Sequence, residues 1–218
     1  MRMRTKKWAK PELAVCPFYI KNPEDHKGNW KGYFKNENPI CLELGCGKGR
    51  FLAQVAVVNQ DKNFIGVDLS SDMLGLTKRN IEASYKENSL EIENVCITWQ
   101  NIERIENIIS GDVIDRIYIN FCNPWHKPSQ FKKRLTHTRQ LLNYRKFLKE
   151  NGELHFKTDD DQLFTHSLGY LKEAGFEVIY QTTDLHSSGY EPNYRTEHED
   201  MYSAEGIKIK FLIAKKIG

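Results

Sequence analysis

Apolar positions along the chain fall into two alternating patterns. Short segments that read as strands, centred on apolar residues, occupy residues 39–44, 63–68, 92–98, 116–121 and 153–157. Between them the apolar spacing lengthens to helical repeats, as in Phe51, Leu52, Val55, Ala56 and Val58. This predicts helices over 49–58, 71–86, 138–150 and 161–174. Ser71 and Asp72 are the capping candidates of the second helix, and Asp161 of the fourth. Asn151-Gly152 reads as the stop of the third. Two further strands are expected at 176–183 and 207–215. Alternating strands and helices imply an α/β protein. Residues 13–38, with Pro17, Pro23, Gly28, Trp30 and Gly32, read as irregular. The expected division is therefore an arm and lead-in over 1–38 and one α/β domain over 39–218.

The run Pro39 to Leu44 breaks into Gly45-Cys46-Gly47-Lys48-Gly49-Arg50, and a helix pattern follows. A strand, a glycine turn and a helix start let a ligand lie against bare main chain and face free N–H groups. About twenty residues on, a second strand ends in Asp68. An acid at that spacing accepts hydrogen bonds from ribose hydroxyls. The ligand is therefore expected to be a nucleoside. Arg50 stands where a dinucleotide fingerprint needs its third glycine, and no Gly-Lys-Ser/Thr phosphate loop is present. The pattern Glu-x-Gly-x-Gly-x-Gly resembles motif I of class I S-adenosylmethionine (SAM) methyltransferases. In that class the residue after the third strand often meets the adenine. Asn101 is the candidate for this contact, with Gln100 as the near alternative.

Composition narrows the setting. The chain has 218 residues and a net charge of +3, enough for one sizeable domain. Five scattered cysteines without a C-x-x-C pair indicate neither a disulfide framework nor a zinc site, and the histidines show no ligand spacing. No apolar run is long enough to cross a membrane, and the N-terminus lacks the core of a signal peptide. A cytoplasmic protein without metal is expected, with monomer and homodimer both open.

Charge distribution says more than its total. Residues 1–12 carry Arg2, Arg4, Lys6, Lys7 and Lys10 around Trp8, which suits either a solvated tail or a basic arm with a stacking aromatic. From Arg116 to Lys149 no acidic residue occurs among nine basic ones. A solvated helix mixes signs, so this segregation fits a phosphate backbone. The run ending at Phe121 continues as Cys122-Asn123-Pro124-Trp125-His126-Lys127. Trp125 suits either a base stack or the core. The strand at 153–157 leads to Asp159, at the ligand end of such a sheet. A long polar loop after residue 183 contains Thr196, Glu197, His198 and Glu199.

Several of these motifs coincide in one family. The glycine turn, Gly66-Val67-Asp68, Asn123-Pro124-Trp125-His126-Lys127, Lys132-Lys133-Arg134-Leu135-Thr136, Phe156-Lys157-Thr158-Asp159 and Thr196-Glu197-His198-Glu199 resemble the bacterial TrmB-type tRNA (guanine-N7-)-methyltransferases. The resemblance covers nearly the whole chain. It implies a Rossmann-like class I methyltransferase fold: a mostly parallel seven-stranded sheet, helices on both faces and an antiparallel last strand. It implies SAM as methyl donor and the variable-loop guanine of tRNA as acceptor. Cofactor contacts are then expected at Glu43, Gly45, Gly47, Gly49, Asp68, Asn101 and Asn123. Substrate contacts are expected at Lys127, Asp159, Thr196, Glu197, His198 and Glu199, with Lys132, Lys133 and Arg134 on RNA. The family's usual catalytic aspartate falls on Asn123 here, and Pro128-Ser129-Gln130-Phe131 is less basic than usual. Two other functions compete: methylation of an exocyclic amine, whose Asn-Pro-Pro-aromatic motif Asn123-Pro124-Trp125 resembles with a single proline, and RNA binding without catalysis.

Overall fold

The computed structural model describes residues 5–111 and 113–218. The described residues form eight strands and seven α-helices, in two compact units, Met1–Ile108 and Ile109–Gly218. The strands are mostly parallel, as expected. There is one more than the seven expected, and it lies in the lead-in.

In the first unit the elements are α1 (Ala9–Ala14), β1 (Tyr19–Ile20), α2 (Trp30–Phe34), β2 (Ile40–Leu44), α3 (Arg50–Val58), β3 (Asn63–Asp68), α4 (Ser71–Glu87) and β4 (Val95–Trp99). The strands run parallel in the order β1-β4-β3-β2. All five residues of β2 are buried, which is why its sequence is a continuous apolar run rather than an alternation. The lead-in is ordered where it was expected to be irregular. Ile97 N donates to Phe18 O at 2.9 Å, and Thr98 Oγ1 donates to Ile20 O at 2.9 Å. Trp30 is fully buried, with its indole donating to Ile108 O at 2.9 Å. A two-residue strand is too short to show a period, so its pairing had no sequence signature.

Helix α1 packs on α4 across Gly75, where an added Cβ would stand 2.7 Å from Ala9 Cβ. The Arg79 guanidinium covers the Trp8 ring at 3.5 Å, and Glu12 Oε2 accepts from Arg79 Nε at 3.0 Å. Trp8 is therefore part of this packing rather than an aromatic held out for RNA. Arg2 and Arg4 of the expected basic arm lie outside the described residues. Helix α4 is capped one residue earlier than expected: Ser70 Oγ accepts from Met73 N at 3.3 Å, in place of Ser71 or Asp72.

The second unit contains β5 (Ile114–Asn120), α5 (Thr138–Arg145), β6 (Leu148–Thr158), α6 (Asp161–Glu173), β7 (Phe176–Thr182), α7 (Glu197–Ala204) and β8 (Lys210–Lys216). Its strand order is β5-β6-β8-β7, with β8 antiparallel to both neighbours. The helix expected over 138–150 ends at Arg145, because Val113 N and Ile114 N both donate to Phe147 O and draw the chain into β6. Asn151-Gly152 does not stop a helix. It lies inside β6, with Asn151 at φ 62°, where the register against β5 slips. Asp160, not Asp161, caps α6, accepting from Leu163 N at 2.6 Å. No helix among the described residues is long and apolar enough to cross a membrane.

Candidate active site

In the first unit the turn after β2 hangs from β3. Gly45 N and Cys46 N both donate to Val67 O, at 2.9 and 3.0 Å. Asp68 bridges the two strand ends: Oδ2 accepts from Gly47 N at 2.9 Å and Oδ1 from Ser70 N at 2.8 Å. Burial pushes the Asp68 carboxyl up from its ordinary value, and the backbone donors of Ser70 and Gly47 hold it back. Gly47 has φ +55°, and a Cβ there would reach no atom nearer than Gly45 O at 4.0 Å. Main chain therefore faces open space at this point. Gly49 is needed for a different reason: a Cβ would stand 2.2 Å from Thr77 Cγ2. The Thr77 hydroxyl meanwhile donates to Gly47 O at 2.7 Å.

After β4, Trp99 is 44% exposed and pinned by its indole N–H to Leu69 O at 2.6 Å. Gln100 is buried and its Oε1 accepts from Asn101 N at 2.8 Å. Asn101 is half-buried, and its Oδ1 caps a 3-10 turn by accepting from Glu103 N at 3.0 Å. Of the two, Gln100 is turned inward, and Asn101 has its amide nitrogen to offer. Glu43 lies in the middle of the buried run of β2.

In the second unit the end of β5 is strained. Phe121 and Trp125 hold φ of 52° and 45°, values that favour glycine. Between them Asn123 is exposed, and its Oδ1 accepts from Trp125 N at 3.0 Å. Beneath the turn lies Arg134, fully buried. Its Nε donates to Pro124 O at 2.6 Å, and its Nη2 to Gln162 Oε1 at 3.0 Å and Trp125 O at 3.4 Å. Arg134 was expected on RNA, and its burial rules out a surface phosphate contact. Lys127, Lys132 and Lys133 are exposed, and Lys133 Nζ lies 5.0 Å above the Trp125 ring.

At the end of β6, Asp159 is half-buried. Burial raises its carboxyl above the ordinary range, and neighbouring Asp160 adds to this, while Lys210 and His198 oppose it. Phe121 stacks on His198 and on Tyr202, both with centroids 6.0 Å apart, so the strained turn, Asp159 and α7 converge. Of the Thr196–Glu199 group, Glu197 and His198 face solvent, while Thr196 and Glu199 turn inward as a capping box. Glu199 accepts from Lys157 Nζ at 3.0 Å, His186 Nε2 at 2.8 Å and Asn193 Nδ2 at 2.7 Å. Burial pushes its carboxyl up, but Lys157, Asn193 and His186 outweigh that and leave it below the ordinary range. Sequence reasoning missed Lys157, Asn193 and His186, which anchor this loop. The one local signal was a lysine inside the apolar strand, at Phe156-Lys157-Thr158.

Comparisons with known proteins bear on both units. A family described as "Putative methyltransferase" matches residues 37–212. A tRNA (guanine-N(7)-)-methyltransferase of Clostridium perfringens (strain 13 / Type A) is 58% identical over all of both chains. The chain belongs to this methyltransferase family. Among solved structures, the 16S rRNA methyltransferase KamB aligns with TM-score 0.66 at 13% identity, over 88% of this chain and 94% of that one. A variant of the 16S rRNA (adenine(1408)-N(1))-methyltransferase from Catenulisporales acidiphilia, solved with cosubstrate SAM, aligns with TM-score 0.60 at 15% identity, over 90% and 91%. At that identity the likeness is one of fold, the Rossmann-like methyltransferase fold.

SAM is the cofactor of this family, and the first unit fits it. The bare main chain at Gly47 faces open space, as a ligand lying on the turn requires. Asp68, already bonded to that turn, has acceptor lone pairs to spare for ribose hydroxyls. Among the described residues, no group of three or more His, Cys, Asp or Glu side chains is placed to hold a metal ion.

Proposed function

We propose that the protein transfers the methyl group of SAM to N7 of a guanine in the tRNA variable loop, in the cytoplasm. We further propose that it does so by alignment rather than by general-base catalysis. Bound SAM supplies a methyl group already activated by its sulfonium. Everything else is positioning. Guanine N7 carries an in-plane lone pair and no proton, so the transfer gives a base nothing to remove. Asn123 carries this reading. It is an amide, neutral at physiological pH, exposed on a turn held by its own hydrogen bond to Trp125 N. An amide can accept from one partner and donate to another, which orients reactants without moving a proton.

Asp159 supports guanine as the acceptor. A carboxylate there can accept from guanine N1–H and N2–H together, a pair of donors that adenine lacks. Methylation at N7 makes the base a cation, so a carboxylate on its far edge favours the transition state. Lys127 positions a phosphate as a point charge, with Lys132 and Lys133 further along the strand. The exposed Glu197 and His198 meet the nucleotide, while Thr196 and Glu199 hold the loop that carries them.

Single-turnover methylation of tRNA by the wild type, Asn123→Asp and Asn123→Ala tests the mechanism. An aligning role predicts an active wild type and a larger loss in Asn123→Ala than in Asn123→Asp, because alanine removes every hydrogen bond. A wild type that binds SAM and tRNA yet becomes active only as Asn123→Asp would overturn it. Mapping the product nucleoside separates N7 from exocyclic-amine methylation.

A further inference from the structure

The basic run Lys132-Lys133-Arg134 contains two kinds of residue. Lys132 and Lys133 are exposed, whereas Arg134 has none of its surface in solvent. An arginine that served only to meet a phosphate would not be placed there, since removing a guanidinium from water is costly unless every donor is used.

All three guanidinium nitrogens have partners, and two of them reach one turn. Nε donates to Pro124 O at 2.6 Å and Nη2 reaches Trp125 O at 3.4 Å, so one planar fork holds two successive carbonyls. Those carbonyls belong to the two residues that follow Asn123. The other edge of the guanidinium is itself fixed. Nη2 also donates to Gln162 Oε1 at 3.0 Å, and Nη1 meets His166 Nδ1 at 2.8 Å. Arginine cannot accept, so His166 Nδ1 must be the acceptor and its ring proton sits on Nε2. Phe131 packs its ring against the flat face at 3.8 Å, and its edge meets His166 at 5.3 Å. The clamp therefore runs from α6, which carries Gln162 and His166, to the turn after β5.

The turn needs such a clamp. Trp125 keeps φ 45°, a conformation that is strained for a non-glycine residue and persists only where its surroundings impose it. Asn123 is oriented by its bond to Trp125 N, so the plane of the Trp125 peptide sets where the Asn123 amide faces. We infer that Arg134 is a positioning residue for methyl transfer. It locks the Asn123-Pro124-Trp125 turn from below and contacts neither tRNA nor cofactor. This rests on the proposed methyl transfer to guanine and extends it to a residue that makes no contact with the reactants.

The test separates geometry from phosphate binding. Arg134→Lys keeps the charge but replaces the planar fork by a point donor that cannot hold both carbonyls. With SAM and tRNA saturating, its single-turnover rate is expected to fall at least thirtyfold. The salt dependence of tRNA binding should keep its wild-type slope, and SAM affinity should stay within threefold. Arg134→Ala should lose more, and millimolar guanidinium, but not equal ammonium, should restore part of its rate. A saturated rate within threefold of wild type in Arg134→Lys would overturn the inference, and so would a salt slope reduced by about one phosphate contact. Failure of both variants to fold would make Arg134 a residue of the fold alone and overturn it too. An inactive wild type would instead sink the proposed function. A wild type producing another methylated nucleoside would correct the acceptor atom and leave the role of Arg134 to the rate comparison.

Discussion

The unit Met1–Ile108 offers bare main chain at its glycine turn, and the unit Ile109–Gly218 offers side chains propped by buried charge. In the first, the turn through Gly45, Gly47 and Gly49 is hung on Val67 O and on one carboxylate, Asp68. Nearly all of that is local to two adjacent strand ends. In the second, the turn at Asn123 rests on Arg134, and the loop before α7 rests on Lys157 and Glu199, all three buried. The lesson is one of tolerance. A backbone cradle asks for glycine and little else, because every residue offers the same N–H groups. A propped side-chain surface fails when one partner of a buried pair is lost, because the other is left charged and unsolvated.

The largest effect should therefore appear in the second unit. Lys157→Met and Glu199→Gln should each cost about 3–5 kcal/mol in urea unfolding, and the double variant much less than their sum. Additive losses would mean that the pair is not a unit and would weaken the contrast. The sign with pH follows from Glu199, whose folded carboxyl lies below its ordinary value of 4.5. The unfolded chain takes up that proton first as the pH falls. The contribution of this carboxylate should be full above about pH 5 and decline as the pH drops below the ordinary value.

A smaller effect is expected in the first unit. Asp68→Ala should weaken SAM binding by about 1–3 kcal/mol, the cost of losing charge-assisted hydrogen bonds. Calorimetry measures this, and tRNA affinity should not move. Unchanged SAM affinity would show that the glycine turn holds the ligand without its tether, which would sharpen the contrast at the expense of Asp68.

The smallest effect should come from exposed charge. Lys132→Ala with Lys133→Ala should weaken tRNA binding modestly and lower the salt slope by about 1–2. The saturated methylation rate should stay near wild type. A collapse in that rate would mean that the surface lysines, like Arg134, shape the turn.

How much could be read in advance follows the same division. The strands at 40–44 and 63–68, the glycine turn and Asp68 were legible because they depend on neighbours in sequence and on a fixed strand-to-strand spacing. The ends of α5 and β6 were not, because Asn151-Gly152 looks like a helix stop until β5 pairs alongside it. A serine or aspartate before a helix announces a cap, but Ser70 against Ser71 and Asp160 against Asp161 differ only in which backbone is extended. The two-residue β1 carried no period at all.

By itself the sequence determined the alternation of strands and helices, the glycine turn between β2 and α3 and the segregation of basic residues along the chain. Those follow from periodicity, glycine geometry and charge, all of which act over short stretches of chain. Only the tertiary structure decided which basic residues reach solvent and which are spent inside. Lys132 and Arg134 are two positions apart and alike in charge, yet one is exposed and the other lies beneath the Asn123 turn. Burial is a property of what packs against a residue, and for Arg134 that means Gln162 and His166, about thirty positions away along the chain.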